Sequence, residues 1–185
     1  MNNLLKKHKI IENFALLFVS IIIGIIVSGV AQVLIIAAQN FFQLLFLNPS
    51  FSLKIHLFGL KLNLIPLIIC VPASLLVGIL LYVSKLPRWF GPADTIFAAH
   101  NKAGTLNLKG GFTSTLASLI SISGGASVGI YGPLVHFGAT VSSFIRRQNF
   151  IPKIPHDIII GSGVAAAISA GFGAPLAGVI FAHET

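Results

Sequence analysis

Residues 124–138 read Gly124-Gly125-Ala126-Ser127-Val128-Gly129-Ile130-Tyr131-Gly132-Pro133-Leu134-Val135-His136-Phe137-Gly138. A glycine-rich break gives way to a proline and then to an apolar run. Pro133 suits the first turn of a helix, where its missing N–H costs nothing. The glycines free the preceding backbone and let it approach another group closely. The first N–H groups of a helix have no internal partners and carry the positive end of its dipole. An anion can therefore bind there without a lysine or arginine. Taken alone, the stretch is more simply an ordinary helix start after a turn.

The pattern repeats on both sides of this break. Gly111–Ser123, Leu134–Ile145, Ile158–Ala170 and Leu176–Ala182 are helical candidates of about 7 to 13 residues, most of them too short to cross a bilayer alone. Glycine and proline interrupt them at Gly124-Gly125, Gly129 to Pro133 and Gly171 to Pro175. Broken apolar helices mark the core of a transporter or channel, because irregular backbone survives at membrane depth only where protein or a cavity surrounds it. The plainer alternative is a bundle with glycine-rich packing faces.

Composition places the chain in lipid. Of 185 residues, 55% are hydrophobic and only 9% charged. Soluble domains carry about 25% charged residues. The net charge of +8 comes from 12 basic and 4 acidic residues. The basic residues lie between apolar segments, where they orient a membrane protein, so nucleic acid is not an expected partner. The single cysteine, Cys70, sits in an apolar run and reads as a small buried hydrophobe. It supports neither a disulfide framework nor a metal site, and no cofactor is expected.

Toward the N-terminus, one long helix is expected from Ile11 to Leu47, interrupted by Gln32, Gln39, Asn40 and Gln43. It is too long for the bilayer and should tilt or protrude. The stretch Phe14–Ala38 is too long for the core of a signal peptide and reads as a retained span. A loop with a short hairpin at Phe51–Lys61 follows, then a second span from Asn63 to Ser84 with Pro66 near its start and Pro72 inside. Lys6, Lys7, Lys9, Lys85, Arg88, Lys102, Lys109, Arg146, Arg147 and Lys153 fit one side, leaving Lys54 and Lys61 on the other. Ten against two puts residues 1–10 and the N-terminus in the cytoplasm of a multi-pass cell-membrane protein.

The stretch Gly125 to Gly138 resembles the signature G-x-x-x-G-[KR]-E-G-P-x-[VI]-x-[IL]-G of the CLC chloride channel family. A second stretch agrees: Gly161-Ser-Gly-Val-Ala-Ala-Ala-Ile-Ser-Ala-Gly-Phe-Gly-Ala-Pro175-Leu-Ala-Gly178-Val-Ile-Phe181-Ala-His-Glu184 is similar to the family's A-A-G-[IL]-A-A-A-F-N-A-P-[LI]-A-G-x-[LI]-F-x-x-E. Both stand in the family's order, and the A-P-L-A-G-V-I-F-x-x-E run is the more specific. The resemblance implies an all-α integral membrane fold with long tilted and short broken helices. Residues 1–185 would form the N-terminal half of the membrane domain, most of the first of two inverted repeats. It further implies transport of chloride or another small anion, in a homodimer with one pore per subunit.

On this resemblance Gly129, Ile130, Tyr131, Gly132 and Pro133 line the anion site. The family's first anion loop, G-S-G-I-P, matches at Gly91-Pro92-Ala93-Asp94-Thr95, so Gly91 and Pro92 join it. Pro92 stands where most members have serine and the plant nitrate exchangers have proline, so nitrate or another anion is an alternative. Gly91–Asp94 also reads as the start of a short helix. The family's gating glutamate falls at Tyr131, and the internal proton-transfer glutamate of its antiporters falls at Thr185. Tyrosine brings neither the competing charge nor the proton exchange of a carboxylate, although its hydroxyl offers a hydrogen bond to an anion, or a plug. With both proton sites replaced, the expectation is a passive, voltage-gated-type chloride channel. A proton-coupled exchanger of the same family is the alternative. Glu184 matches the preceding family glutamate and reads as structural. The family's later G-x-F-x-P loop has no counterpart before Thr185, so these residues are expected to be a fragment that does not conduct alone.

More distant readings are an intramembrane enzyme and a non-conducting scaffold. Gly161-Ser-Gly163 imitates a dinucleotide fingerprint but lacks the strands that motif needs. Gly125-Ala-Ser127-Val-Gly129 formally fits G-x-S-x-G without its soluble α/β setting, so no catalytic residue is assigned. His136 and His183 sit in apolar helices; a hydrogen-bonded structural role is expected ahead of proton relay.

Overall fold

Every fourth residue of the N-terminal apolar run turns inward: Val19, Ile23, Val27 and Ala31 are buried in one stripe. Phe14, Leu17, Phe18, Ile21, Ile25 and Val33 on the remaining faces are exposed. Spacing of four keeps a stripe on one side of a helix. The computed structural model describes the backbone of residues 2–47, 54–57, 60–101, 106–148 and 155–184. Side chains are described for residues 14–47, 64–101, 106–148 and 155–184.

Helix α1 spans Asn2–Phe42 and continues as a π-helical turn over Gln43–Leu47. It begins well before the expected Ile11, because Leu4–Glu12 is rich in good helix formers that carry the helix past its apolar edge. At 41 residues α1 is about 60 Å long, more than a bilayer's thickness. Strands β1 (Lys54–Leu57) and β2 (Leu60–Asn63) pair antiparallel, Ile55 opposite Leu62. This hairpin, expected slightly earlier, is the exception among the described elements, which are otherwise helical. Helix α2 (Ile65–Ser84) follows, with a proline in its first turn and Pro72 inside. By length and composition, α1 from Phe14 through Leu47 and α2 can cross a membrane. Cys70 is exposed on α2, contrary to its expected burial, because most of that helix turns outward.

The remaining helices are α3 (Pro92–His100), α4 (Leu108–Ser123), α5 (Tyr131–Arg146), α6 (His156–Phe172) and α7 (Pro175–Glu184). Helices α4 to α7 run up to three residues longer at an end than expected, and Gly110, Gly132 and Gly171 are taken into α4, α5 and α6 rather than left in the breaks. Helix α5 is the centre of the packing: every residue from Leu134 to Ser143 is buried. It lies antiparallel to α6, and the two backbones meet at Gly138 and Gly163, where an added Cβ would strike the partner's carbonyl. Ser142 and Ala167 flank that crossing. Small residues let helices approach closely where lipid supplies no hydrophobic force between them. On the other side Thr140 fills the space left by Gly111 of α4. The Phe112 ring meets Phe137 and Phe144 edge-on, at 6.3 and 6.4 Å.

Gln32 of α1 donates to the Ala170 carbonyl at 2.7 Å, and Arg147 at the end of α5 donates to the Leu106 carbonyl at 2.8 Å. Arg146 hydrogen-bonds His156 at the start of α6. The Phe90 N–H, just after α2, reaches Ser114 in the first half of α4 at 2.9 Å. These contacts bring Lys109, Arg146 and Arg147 to one end of the bundle. The C-terminal ends of α1 and α6 lie toward the other end.

Candidate functional site

The two stretches singled out for anion binding lie side by side. A Cβ added to Gly132 would stand 3.6 Å from the Pro92 ring. About one turn further along each helix, the Thr95 hydroxyl meets His136 Nδ1 at 2.9 Å. Helices α3 and α5 are therefore parallel neighbours with adjacent N-termini, although the chain between them runs through all of α4.

The two N-termini differ in how their amides are used. In α3 the Asp94 carboxylate folds back and accepts from the Gly91 N–H at 2.9 Å. Arg88 clamps the same carboxylate through both guanidinium nitrogens, one of them 3.1 Å from Oδ2. Its guanidinium also lies 4.8 Å over the Phe90 ring. The hydrogen bond from Arg88 is the main cause that holds the Asp94 carboxyl below its ordinary range. The Gly91 amide, a candidate anion ligand from the sequence, is thus engaged within its own helix, and Pro92 has no N–H to offer.

Helix α5 starts at Tyr131, two residues before the expected Pro133, which falls in the first turn instead of opening it. The first bond of the helix runs from the Leu134 N–H to the Ile130 carbonyl at 3.2 Å. The Tyr131 and Gly132 amides precede that bond, and Pro133 lacks one. No acidic residue stands in this first turn. Gly129 and Ile130 belong to the break between α4 and α5, where Gly125 takes a φ of 93° and gives the chain its turn. The backbone is therefore interrupted before Tyr131.

The Tyr131 ring stacks on Phe172 with centroids 3.9 Å apart and planes 13° from parallel. A Cβ on Gly171 would come within 3.2 Å of the same ring. Tyr131 also borders a cavity of about 560 Å³ reached by Gln39, Gln43, Ile122 and Ile130. Nothing in the sequence pointed to Phe172, since its pairing with Tyr131 exists only because α5 and α6 are antiparallel.

His136 is 1% exposed, and its Nε2 has no hydrogen-bond partner among the described residues. The contact of its Nδ1 with Thr95 ties α3 to α5. His183 lines a separate cavity of about 610 Å³ between α3, α6 and α7, with His100 and Asp157. Among the described residues, no group of three or more His, Cys, Asp or Glu is placed to hold a metal ion. Thr185, the position of the internal proton glutamate, lies outside the described residues.

Comparison with known proteins agrees with the helix pattern. A family profile described as "Voltage gated chloride channel" matches residues 73–185. A ClcB-like chloride channel protein of Ralstonia nicotianae is 30% identical over 124 residues, covering 64% of this chain and 29% of the relative. The voltage-gated ClC-type chloride channel ClcB of Yersinia pseudotuberculosis is 30% identical over 93 residues, 50% of this chain and 22% of its own. ClcB of Salmonella typhimurium is 33% identical over 98 residues, 52% of this chain and 23% of its own. The chain thus spans less than a third of the length of these relatives. No solved structure matches it with significance. The matched segment holds α3 through α7 with the glycine-rich break before α5, and on that match this chain is a member of the voltage-gated chloride channel (CLC) family.

Proposed function

We propose that this chain forms part of an anion-conducting membrane protein, and that chloride or a similar small anion is held at the N-terminus of α5. The observation that carries the reading is the pair of amides at Tyr131 and Gly132, which precede the helix's first internal bond and have no acidic side chain in the turn to fill them. Uncharged donors bind an ion weakly enough to release it. Gly129, Ile130 and Pro133 shape the approach. Gly91 and Pro92 form the neighbouring wall, and Tyr131 occupies the gate position.

Passive conduction is favoured over proton-coupled exchange because a phenol, not a carboxylate, stands at that gate. The relatives' names as chloride channels support anion transport, and residues 1–185 would be the N-terminal half of the membrane domain. Helices like these bury their outward apolar faces in lipid, and the full protein would act as a homodimer. The basic end of the bundle faces the cytoplasm, with the N-terminus. Chloride efflux from liposomes holding the full protein tests this, with a pH-sensitive dye inside. Efflux without coupled acidification or alkalinisation is the expected result. Proton movement in fixed proportion to chloride would convert the assignment to an exchanger, and efflux no faster than from empty liposomes would end it.

A further inference from the structure

We propose that Phe172, with Gly171 beneath it, is a shelf that parks the Tyr131 ring off the α3–α5 junction and so keeps the anion path open. The inference rests on the anion-site reading above.

Three observations place the ring. Gly132 faces Pro92 of α3, whereas the adjacent Tyr131 lies against α6 and borders the cavity beside α1. Successive helical residues point about 100° apart, so the two cannot share a side. The stack on Phe172 is nearly parallel, at 3.9 Å and 13°. Gly171 admits the ring closely because it has no side chain: a Cβ there would lie 3.2 Å from two ring carbons, tighter than an ordinary contact, and would press the phenol away.

The arrangement is not locked by burial. Tyr131 is 39% exposed and Phe172 54% exposed. One aromatic contact therefore decides where the ring rests. Released, it is free to rotate about its own Cα–Cβ bond toward the neighbouring amides and cover them. Phe172 acts through Tyr131 and is a positioning residue; it need not touch the ion.

The test uses the full protein in liposomes. Phe172→Ala lowers chloride efflux about five-fold, the population change that loss of one aromatic stack produces. Phe172→Tyr keeps a ring and keeps wild-type efflux. In the double variant Phe172→Ala with Tyr131→Ala, efflux returns to the level of Tyr131→Ala alone, because no ring remains to fall into the path. Unchanged efflux in Phe172→Ala overturns the proposal. So does a double variant that stays as slow as Phe172→Ala, which would mean Phe172 only supports folding.

A second measurement is independent of transport. The chain has two tyrosines, Tyr82 and Tyr131, and Tyr82 is 86% exposed. With fluorotyrosine incorporated in the full protein and the Tyr131 resonance assigned by its loss in Tyr131→Phe, Phe172→Leu removes a ring current from Tyr131 and moves that resonance. A resonance that does not move overturns the shelf. If the wild type itself gives no efflux, the anion-site reading fails and the proposed role in conduction fails with it, while the fluorine shift still decides whether the stack forms.

Discussion

Helices α3 and α5 present two N-termini a few ångströms apart, yet only one carries its own carboxylate. In α3 the cap is internal: Asp94 fills the Gly91 amide and Arg88 neutralises Asp94. In α5 the first turn is Tyr131-Gly132-Pro133, with no side chain able to fold back as a carboxylate does. Both ends carry the same helix dipole and both contain proline. What differs is whether the helix brings its own anion. An end that does is satisfied and fixed in place; an end that does not remains available to an outside ion. The capped α3 end lies directly beside the uncapped one, Pro92 next to Gly132.

The largest effect should come from removing the support that sets the two ends side by side. Gly163→Val drives a side chain into the Gly138 carbonyl and Ser142. Overpacking of this kind costs about 3 kcal/mol or more. The variant should lose most of its folded population, read by thermal unfolding in detergent against Ser162→Ala as a control on the same helix.

Next in size is making the α5 end resemble the α3 end. Gly132→Asp puts a carboxylate in the first turn, and the site admits a Cβ at ordinary contact distance from Pro92. Chloride efflux should fall at least about ten-fold, about 1.4 kcal/mol, with little change in melting temperature. Equal efflux would show that these amides do not face the ion.

A smaller change loosens one helix from the other. Thr95→Val leaves the buried His136 Nδ1 without its partner, which costs about 1 to 3 kcal/mol. Its melting temperature should drop, and Thr95→Ser should restore most of it. A Val variant as stable as wild type would mean the contact does not hold α3 against α5.

The smallest effect is the titration of the α3 cap. Asp94 is held below its ordinary value of 3.8, first by the hydrogen bond from Arg88. A carboxyl with a lowered folded value adds stability that is full above its unfolded value. That stability disappears as the pH falls through the folded value. Wild type should therefore be slightly more stable than Asp94→Ala at neutral pH, and the difference should shrink as the pH falls below 3.8 and vanish in strong acid. A gap that persists there would show that the cap works by packing.

Much of the fold was legible from the chain. Apolar runs bounded by glycine and proline marked each helix from α2 to α7, because helix length and breaks are local properties. Boundaries were less legible. Pro133 marks the opening of α5 in the sequence, but a proline fits any position of a first turn, and the helix starts at Tyr131. Cys70 looked like core because its neighbours are apolar, whereas in lipid an apolar run can face outward. For the proposed site, the helix start after the glycine-rich break was legible. The engagement of Gly91 by Asp94 had a local hint in the Asp94 spacing, and the stack of Tyr131 on Phe172 had none.

By itself the sequence determined that this protein lives in lipid, is built of long and broken helices, and starts α5 after a glycine-rich break. Those outcomes follow from composition, periodicity and backbone freedom, which act over a few residues. Only tertiary structure decided that α3 and α5 lie parallel with adjacent N-termini, that α5 crosses α6 at Gly138 and Gly163, and that Tyr131 rests on Phe172. Such pairings depend on how side chains from distant segments fill shared space, and packing of that kind is set by the assembled bundle rather than by any single stretch of chain.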